Sequence, residues 1–190
     1  MLADAQERGL VAQNVVRSMR TSRRGKDKTG KRQNGKLKIG VDIPLPAEIR
    51  AITGCLQGRW RPLLLTAIFT GLRSSELRGL RWSDIDLKNG ELHVRQRADR
   101  YNVIGEPKSD AGTRTLPLPP TVVSTLREWK LACPKGELGL VFPNGNGNVE
   151  NHQNILTRGF FPAQVAARVM VKGEPKYTGL HALRHFYASW

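Results

Sequence analysis

Two histidines and an arginine lie close together in the stretch GLHALRHFYASW, residues 179–190. His181 and Arg184 are three positions apart, so in a helix an imidazole and a guanidinium lie side by side on one face. His185 is interpreted as a structural, hydrogen-bonding residue. The packed face of this helix is predicted to comprise Leu180, Leu183 and Tyr187. Arginine is not a metal ligand and no carboxylate pair accompanies the histidines, so the stretch does not indicate a metal site.

A second candidate is TGLRSSEL, in which Glu76 follows Arg73 by three positions. Taken alone, this spacing is typical of a surface ion pair that contributes little to stability. Arg73, however, closely follows Gly71, which is predicted to end a buried helix. An arginine at such a packed corner is costly unless an anion meets it.

The third candidate is Lys108 in GEPKSDAGTRTL, between two predicted strands. A lysine at such a turn is usually a solvated edge charge, but its ammonium can also donate a proton to a bound substrate. Two arginines, a lysine and a histidine without an acidic metal cage together match what phosphoryl transfer requires. A route without metal needs a protein nucleophile.

The composition points to a polyanionic partner. The chain has 190 residues, with 31 Lys and Arg against 16 Asp and Glu, and a net charge of +15. Nucleic acid is the first candidate partner and an anionic membrane surface the second. No apolar run is long enough to span a membrane and no signal peptide is visible, so a soluble, intracellular protein is expected. Cys55 and Cys133 lack the spacing of a zinc or disulfide framework, and both are expected to be buried.

The hydrophobic pattern predicts mostly helices. Gly71 is expected to end the second helix, and Ser74 or Ser75 to cap the third. Period-two alternation in ELHVRQR and TRTLPLP, with a turn at Asn89–Gly90, predicts a small antiparallel sheet. The fold class is therefore mostly α with a small three-stranded antiparallel sheet (α+β). The helical stretches are PLPAEIRAITGCL, WRPLLLTAIFTGL, SSELRGLRW, TVVSTLREWKLA, NHQNILTRGF, FPAQVAARVM and GLHALRHFYASW.

More than half of the excess charge lies in the first 40 residues, which carry 11 basic and 3 acidic side chains. Residues 17–40 are Gly-studded and free of aromatics, so they are predicted to be a basic linker. Residues 1–16 are either the last element of a preceding domain or a frayed N-terminal tail. The candidate nucleic-acid contacts in the linker are Arg17, Arg20, Arg23, Arg24, Lys26, Lys28, Lys31 and Arg32.

The order and context of these motifs resemble the catalytic domain of the tyrosine recombinases, the phage-integrase family of site-specific DNA recombinases. The resemblance implies that Arg73 and Arg184 clamp the scissile phosphate, that Lys108 protonates the leaving 5′ oxygen and that His181 assists proton transfer. Glu76 would support Arg73 without touching DNA. The matching stretches are TGLRSSELRGLRWSDIDL, PKSDAGTRTLPLP and HALRHFYAS.

Family members attack the phosphate with a tyrosine hydroxyl and form a 3′-phosphotyrosyl link, without ATP, metal or another cofactor. That tyrosine lies well downstream of the H-x-x-R helix, so by resemblance the nucleophile is expected to be absent from this chain, which stops at Trp190. Tyr187 is predicted to pack into the core, Tyr101 to lie in the sheet and Tyr177 to precede the last helix. A nucleophile supplied by another chain remains open.

The resemblance also gives a domain organisation. Residues 1–16 would be a remnant of a helical core-binding domain, residues 17–40 its basic linker, and residues 41–190 a catalytic domain without its C-terminal helices. The expected partners are double-stranded DNA and other recombinase protomers, with no membrane and no small-molecule substrate. The implied location is the cytoplasm, on the nucleoid of a bacterial or phage host.

Two alternatives stay open. The chain could be a non-catalytic DNA-binding protein or regulator that has the same fold. It could also be a basic RNA-binding module, although no aromatic-rich strand for base stacking is visible. If the chain is part of a tyrosine recombinase, we expect it alone to bind DNA without cutting it.

Overall fold

A computed structural model describes residues 37–107 and 112–190. The predictions about residues 1–36, including the eight linker cations, and about Lys108 lie outside the described residues. The helices are α1 (Pro46–Gly54), α2 (Trp60–Thr70), α3 (Ser74–Gly79), α4 (Pro120–Ala132), α5 (His152–Asn154), α6 (Phe161–Ala166) and α7 (His181–Ser189). A π-helical segment, Ile155–Phe160, joins α5 to α6. The strands are β1 (Ile85–Asp86), β2 (Glu91–Val94), β3 (Arg97–Ala98), β4 (Ile104–Gly105), β5 (Arg114–Pro117), β6 (Met170–Val171) and β7 (Glu174–Pro175).

The core is built around α2, whose apolar residues face several neighbours at once. Leu64 and Ile68 are almost completely buried, and α2 packs against α4, α7 and the π-helical segment. The helix ends at Gly71, which adopts a left-handed conformation with φ of 58°. The prediction that Gly71 ends the buried helix is confirmed, because glycine adopts this conformation without the Cβ penalty of other residues.

The predicted three-stranded antiparallel sheet is confirmed, with strand order β1-β2-β5 and Leu92 paired with Leu116. The prediction of a single sheet is wrong, because β3–β4 and β6–β7 form two further hairpins. The predicted helix FPAQVAARVM is too long: α6 ends at Ala166, and Met170–Val171 pairs with Glu174–Pro175. The turn of this hairpin contains Gly173, whose positive φ favours a turn over a helix.

Two further expectations are corrected, the place of Tyr101 in the sheet and the burial of Cys55 and Cys133. Tyr101 lies in the exposed turn between β3 and β4, outside the sheet. Cys55 and Cys133 are half-buried because they are the C-caps of α1 and α4, where the helices reach the surface.

None of the helices in the described part of the chain combines the length and apolarity that crossing a bilayer requires.

Tyr177 fixes the segment before α7 against α1 and α6. Its hydroxyl donates to Glu48 Oε2 (2.6 Å), and its backbone N–H and C=O pair with the buried side-chain amide of Gln164 (both 2.8 Å). Burial and the Glu48 carboxylate raise the pKa of Tyr177. This phenol is therefore buried, neutral and hydrogen-bonded to the core, and it holds α7 in position.

Candidate active site

Glu76 lies at the centre of a cluster of arginines. Arg73 is the N-cap of α3, and the Glu76 carboxylate accepts hydrogen bonds from the Arg73 backbone N–H (2.9 Å) and from Arg73 Nη1 (2.8 Å). The ion pair expected from their spacing is confirmed. The predicted Ser74 or Ser75 cap is wrong, because the Ser74 hydroxyl lies 2.7 Å from Nδ1 of His152.

Arg114, on β5, is a second partner of Glu76 that the sequence reasoning missed. Its Nη2 donates to Glu76 Oε2 (2.8 Å) and its Nη1 lies 3.2 Å from Glu76 Oε1. A signal was present in the sequence: the period-two pattern of TRTLPLP places Arg114 and Leu116 on the same face of the strand. An arginine on that face requires a carboxylate partner.

The Glu76 carboxyl is nearly inaccessible, with its side chain 3% exposed. Burial alone would raise its pKa, but hydrogen bonds from Arg114 and Arg73 outweigh burial and lower the pKa below the ordinary value. Glu76 is therefore ionised at neutral pH. It supplies one negative charge to a site where several guanidinium groups meet.

Replacing Glu76 with alanine should lower the free energy of unfolding by about 3 kcal/mol, the low end for a broken buried ion pair, because two partly exposed arginines lose their buried partner. Since the folded-state pKa is lowered, this stabilisation is present above the ordinary carboxyl pKa. It is lost as the pH falls through the lowered value. Urea denaturation of the wild type and Glu76→Ala at neutral and acidic pH tests both points. An equal difference at both pH values would contradict the ionised pair.

Asp84 offers a matched control, because it is also a buried carboxylate shared by two arginines. It pairs with Arg81 (2.9 Å), three positions earlier, and with Arg95 (3.4 Å), just after β2, and its side chain is 1% exposed. Asp84→Ala should cost about as much stability as Glu76→Ala. Any property that only Glu76→Ala changes then belongs to the cluster around Arg73.

Arg184 reaches the same cluster from α7. Its Nη1 donates to the carbonyl of Gly71, two positions before Arg73. Burial and the nearby Arg73 charge lower the pKa of Arg184, while Glu76 opposes this effect. The packed face of α7 is confirmed for Leu180 and Leu183, which are 5% and 1% exposed. Two of the predicted arginines therefore meet beside the end of α2.

The prediction that Tyr187 packs into the core is wrong, because its side chain is 42% exposed. Its ring lies against the backbone of Gly71, where α2 ends. An added Cβ at Gly71 would come within 2.4 Å of Tyr187 Cδ1. Close packing between α2 and α7 therefore depends on glycine at this position.

Gly71→Ala should lower the free energy of unfolding by more than about 2 kcal/mol, because it combines backbone strain with a clash against Tyr187. Gly58→Ala is the matched control: Gly58 also has a positive φ of 53°, but nothing lies within 4 Å of an added Cβ. It should cost only the strain of about 1–2 kcal/mol. Urea denaturation measures both, and equal losses would show that the contact between α2 and α7 tolerates a methyl group.

A cleft of about 370 Å³ opens beside this cluster. The Arg73 side chain is 52% exposed at its edge, and His181 lines the cleft from α7. Burial and nearby cations lower the pKa of both His152 and His181. The cleft therefore presents the exposed Arg73 guanidinium beside two imidazoles, and these imidazoles are neutral at physiological pH. Its lining residues are Arg73, Ser74, Ser75, Arg78, Ala98, Asp99, Arg100, Asn102, Asn151, His152 and His181.

The structure thus brings Arg73, His181 and Arg184 together, although Arg184 lies beside the cleft and does not line it. His185 packs edge-on against His181, with ring centroids 5.9 Å apart, and its predicted hydrogen-bonding role stays a prediction. Within the described ranges, no group of three His, Cys, Asp or Glu side chains is placed to hold a metal ion. The arrangement suits an anion that is held by two guanidinium groups.

A buried arginine that the sequence did not single out builds one wall of the cleft. Arg78 is 5% exposed and donates to the Glu150 carbonyl (2.6 Å), the Asp99 carbonyl (3.1 Å) and the Asn102 side chain. Asp99 and Asn102 form the turn between β3 and β4. Arg78 therefore holds this hairpin against α3, and nothing in RGLRW distinguishes it from a surface arginine.

The Phage integrase family model matches residues 46–190, a stretch that contains all of these site residues. The chain belongs to the phage integrase family. The resemblance inferred from the motifs is confirmed. The integrase-family match begins at Pro46, where α1 begins, and so covers nearly the whole described structure.

Relatives support the same assignment. This integrase-family chain is 28% identical over 179 residues to a tyrosine recombinase XerC-like protein of Caldanaerobacter subterraneus subsp. tengcongensis, covering 81% of this chain and 44% of the relative. It is 33% identical over 131 residues to tyrosine recombinase XerC of Xylella fastidiosa, covering 69% of this chain and 38% of the relative. The chain therefore spans less than half the length of these two relatives.

Solved structures share the fold of this integrase-family domain. The Tn1549 transposon integrase in complex with circular intermediate DNA matches with a TM-score of 0.65 at 21% identity, covering 98% of this chain and 69% of that one. A lambda integrase dimer bound to a core site matches with a TM-score of 0.54 at 20% identity, covering 98% and 60%. The predicted fold class is confirmed by these matches.

Proposed function

We propose that this chain binds double-stranded DNA and carries the phosphate-binding site of a tyrosine recombinase, an enzyme that cuts and rejoins DNA strands. One observation carries the proposal: Arg73, held by the ionised Glu76, lies close to His181 and Arg184 of α7, more than 100 positions later in the chain. Charge that develops on a phosphate in a transition state is stabilised by such preorganised cations.

The proposed roles follow from the hydrogen-bond donors of the arginines that are not already used within the protein. Arg73 uses Nη1 to bind Glu76, and its exposed edge would donate to one non-bridging phosphate oxygen. Arg184 would donate to the other non-bridging phosphate oxygen. His181, neutral because of burial and neighbouring cations, would accept or return a proton. Glu76 holds Arg73 in place and does not face the cleft.

In the proposed reaction a tyrosine oxygen forms a bond to phosphorus while the bond to the 5′ oxygen breaks. Lys108 would give its proton to that leaving oxygen, and the tyrosine proton would pass to His181 or to solvent. The protein–phosphate ester keeps the energy of the broken bond, so that a second strand can reverse the step without ATP.

We also propose that none of the three tyrosines in this chain is the nucleophile. Tyr177 is buried, and its pKa is raised. Tyr101 is 68% exposed at the hairpin turn, where its hydroxyl contacts Arg100. Tyr187 lies with its ring against Gly71 and is 42% exposed. None of these three residues lines the cleft that contains Arg73 and His181.

The matched structures support the partners. The Tn1549 integrase was solved with DNA, and the lambda integrase as a dimer bound to a core site. We propose double-stranded DNA and further recombinase protomers as partners of this chain. We also propose the division into a core-binding remnant at residues 1–16, a basic linker at 17–40 and a catalytic domain from residue 41.

The test uses nicked duplexes of random sequence incubated with this chain and a metal chelator. Binding without a covalent protein–DNA band is expected. Hydrogen peroxide, a small nucleophile that can take the place of the tyrosine, should then produce strands with new 5′-hydroxyl ends. Binding without peroxide-driven cleavage would support the non-catalytic alternative. A covalent band that Tyr187→Phe abolishes would overturn the assignment of Tyr187.

A further inference from the structure

We propose that Arg114 is a positioning residue for the guanidinium of Arg73 and that it acts through Glu76. The inference rests on the proposed function, in which Arg73 binds the scissile phosphate. Arg114 lies on β5, within one of the stretches that resemble the family, but the resemblance gave it no role in the site. The argument depends on which donors Arg114 has already used and on what would hold Glu76 without it.

The donors of Arg114 are largely occupied. Nη2 binds Glu76 Oε2 at 2.8 Å, and Nη1 is shared between Glu76 Oε1 at 3.2 Å and the Gly112 carbonyl at 2.9 Å. The side chain is only 25% exposed, compared with 52% for Arg73. An arginine held in this way has little freedom to grip a ligand. Its geometry suits the support of a carboxylate.

Each oxygen of Glu76 has two donors, one from each arginine. Oε1 accepts from Nη1 of Arg73 and Nη1 of Arg114, and Oε2 accepts from the Arg73 backbone and from Nη2 of Arg114. Without Arg114, the carboxylate would be held only by the residue that it is meant to fix. The plane of the carboxylate, and with it the direction of the Arg73 fork, would then be set less tightly.

The charges of the cluster also favour this role. Burial and the charges of Arg73 and Arg114 lower the pKa of Arg184, and the charge of Glu76 opposes this effect. The buried carboxylate binds Arg73 and Arg114 directly, and its charge offsets part of the repulsion among the three guanidinium groups. Arg114 lies on β5 and binds Glu76 of α3, so it connects the sheet to the N-terminus of α3, where Arg73 is the N-cap.

Arg95 provides the matched control. Arg95 also lies beside the sheet, and its side chain bonds the buried carboxylate of Asp84. Asp84 is shared with Arg81, three positions before it, just as Glu76 is shared with Arg73. Arg95→Ala removes the same charge and the same kind of ion pair as Arg114→Ala. It leaves the cluster around Arg73 intact.

The first test needs no DNA. The NMR signal of the Arg73 Nε–H group should shift and broaden in Arg114→Ala, move less in Arg114→Lys, and stay unchanged in Arg95→Ala. An Arg73 signal that is the same in the wild type and in Arg114→Ala would overturn the proposal, whether or not the chain binds DNA. Melting curves of each variant confirm that the signal is read from folded protein.

The second test is a double-mutant cycle on the peroxide-driven cleavage of nicked duplexes. Arg114→Ala should slow cleavage about tenfold in the wild type and less than about twofold in Arg73→Ala, because the effect passes through Arg73. Arg95→Ala should change the rate less than about twofold in both backgrounds. Equal slowing by Arg114→Ala in both backgrounds overturns the positioning role. Absence of cleavage in the wild type would overturn the proposed function and leave the NMR test to decide on Arg114.

Discussion

Replacing eight of the ten basic residues of the linker with alanine should lower the affinity for duplex DNA by several orders of magnitude and flatten its dependence on salt. A cation that neutralises a phosphate releases a condensed counterion, so log K falls with log salt by about 0.9 for each contact. A protein with about six to ten such contacts loses roughly 10³–10⁵ in affinity between about 50 and 200 mM salt. The residues to replace are Arg17, Arg20, Arg23, Arg24, Lys26, Lys28, Lys31 and Arg32.

The measurement is fluorescence anisotropy of a labelled duplex at a series of salt concentrations. A chain with the residues of the linker in shuffled order is the matched control, because it keeps the charge and changes only the sequence. Contacts to phosphates carry no sequence information, so the shuffled chain should bind every duplex as tightly as the wild type. An unchanged salt slope in the eight-residue variant would show that the linker does not contact phosphates.

The sequence was most informative where a local signal carries the chemistry. Gly71 ends an apolar run, and Arg73 and Glu76 have a helical spacing, so the corner after α2 could be predicted from residues that are neighbours along the chain. His181 and Arg184 share one turn of α7 in the same way. Two of the three stretches that resemble the family lie here, which explains why the candidate site was found.

Contacts between distant parts of the chain could not be predicted in this way. Arg114 meets Glu76 across 38 positions and Arg78 reaches Glu150 across 72, and neither pair has a spacing that marks it. Ser74 was expected to cap α3, but it bonds His152 across 78 positions. These choices depend on the packing of the sheet and α5 against α3, which only the folded chain determines.

The exposure of Tyr187 has the same origin. An aromatic residue on the apolar side of an amphipathic helix is normally expected in the core, as Leu183 is. Tyr187 lies one turn further along α7, at the level of Gly71, where α2 ends, and there the residue is 42% exposed. The helix pattern correctly indicates which side faces the protein, but it does not indicate how far the neighbouring helix extends.

Arg184→Lys should slow peroxide-driven cleavage of nicked duplexes by about two to three orders of magnitude, as expected when one donor to the transition state is lost. Lysine keeps the positive charge, so long-range attraction to DNA is retained. It lacks the planar fork that can bond the Gly71 carbonyl with one arm and a phosphate oxygen with another. Arg73→Lys should behave alike, because its fork bonds Glu76 and faces the cleft.

Binding distinguishes this loss from a loss of affinity. If the two arginines stabilise charge that develops only in the transition state, each lysine variant should change the dissociation constant for duplex DNA by no more than about threefold. Arg127→Lys is the control, because Arg127 is an exposed residue of α4 that bonds only the Leu87 carbonyl among the described residues. It should change neither cleavage nor binding. Equal losses of cleavage and affinity in Arg184→Lys would mean that the site holds DNA in its ground state and does not favour the transition state.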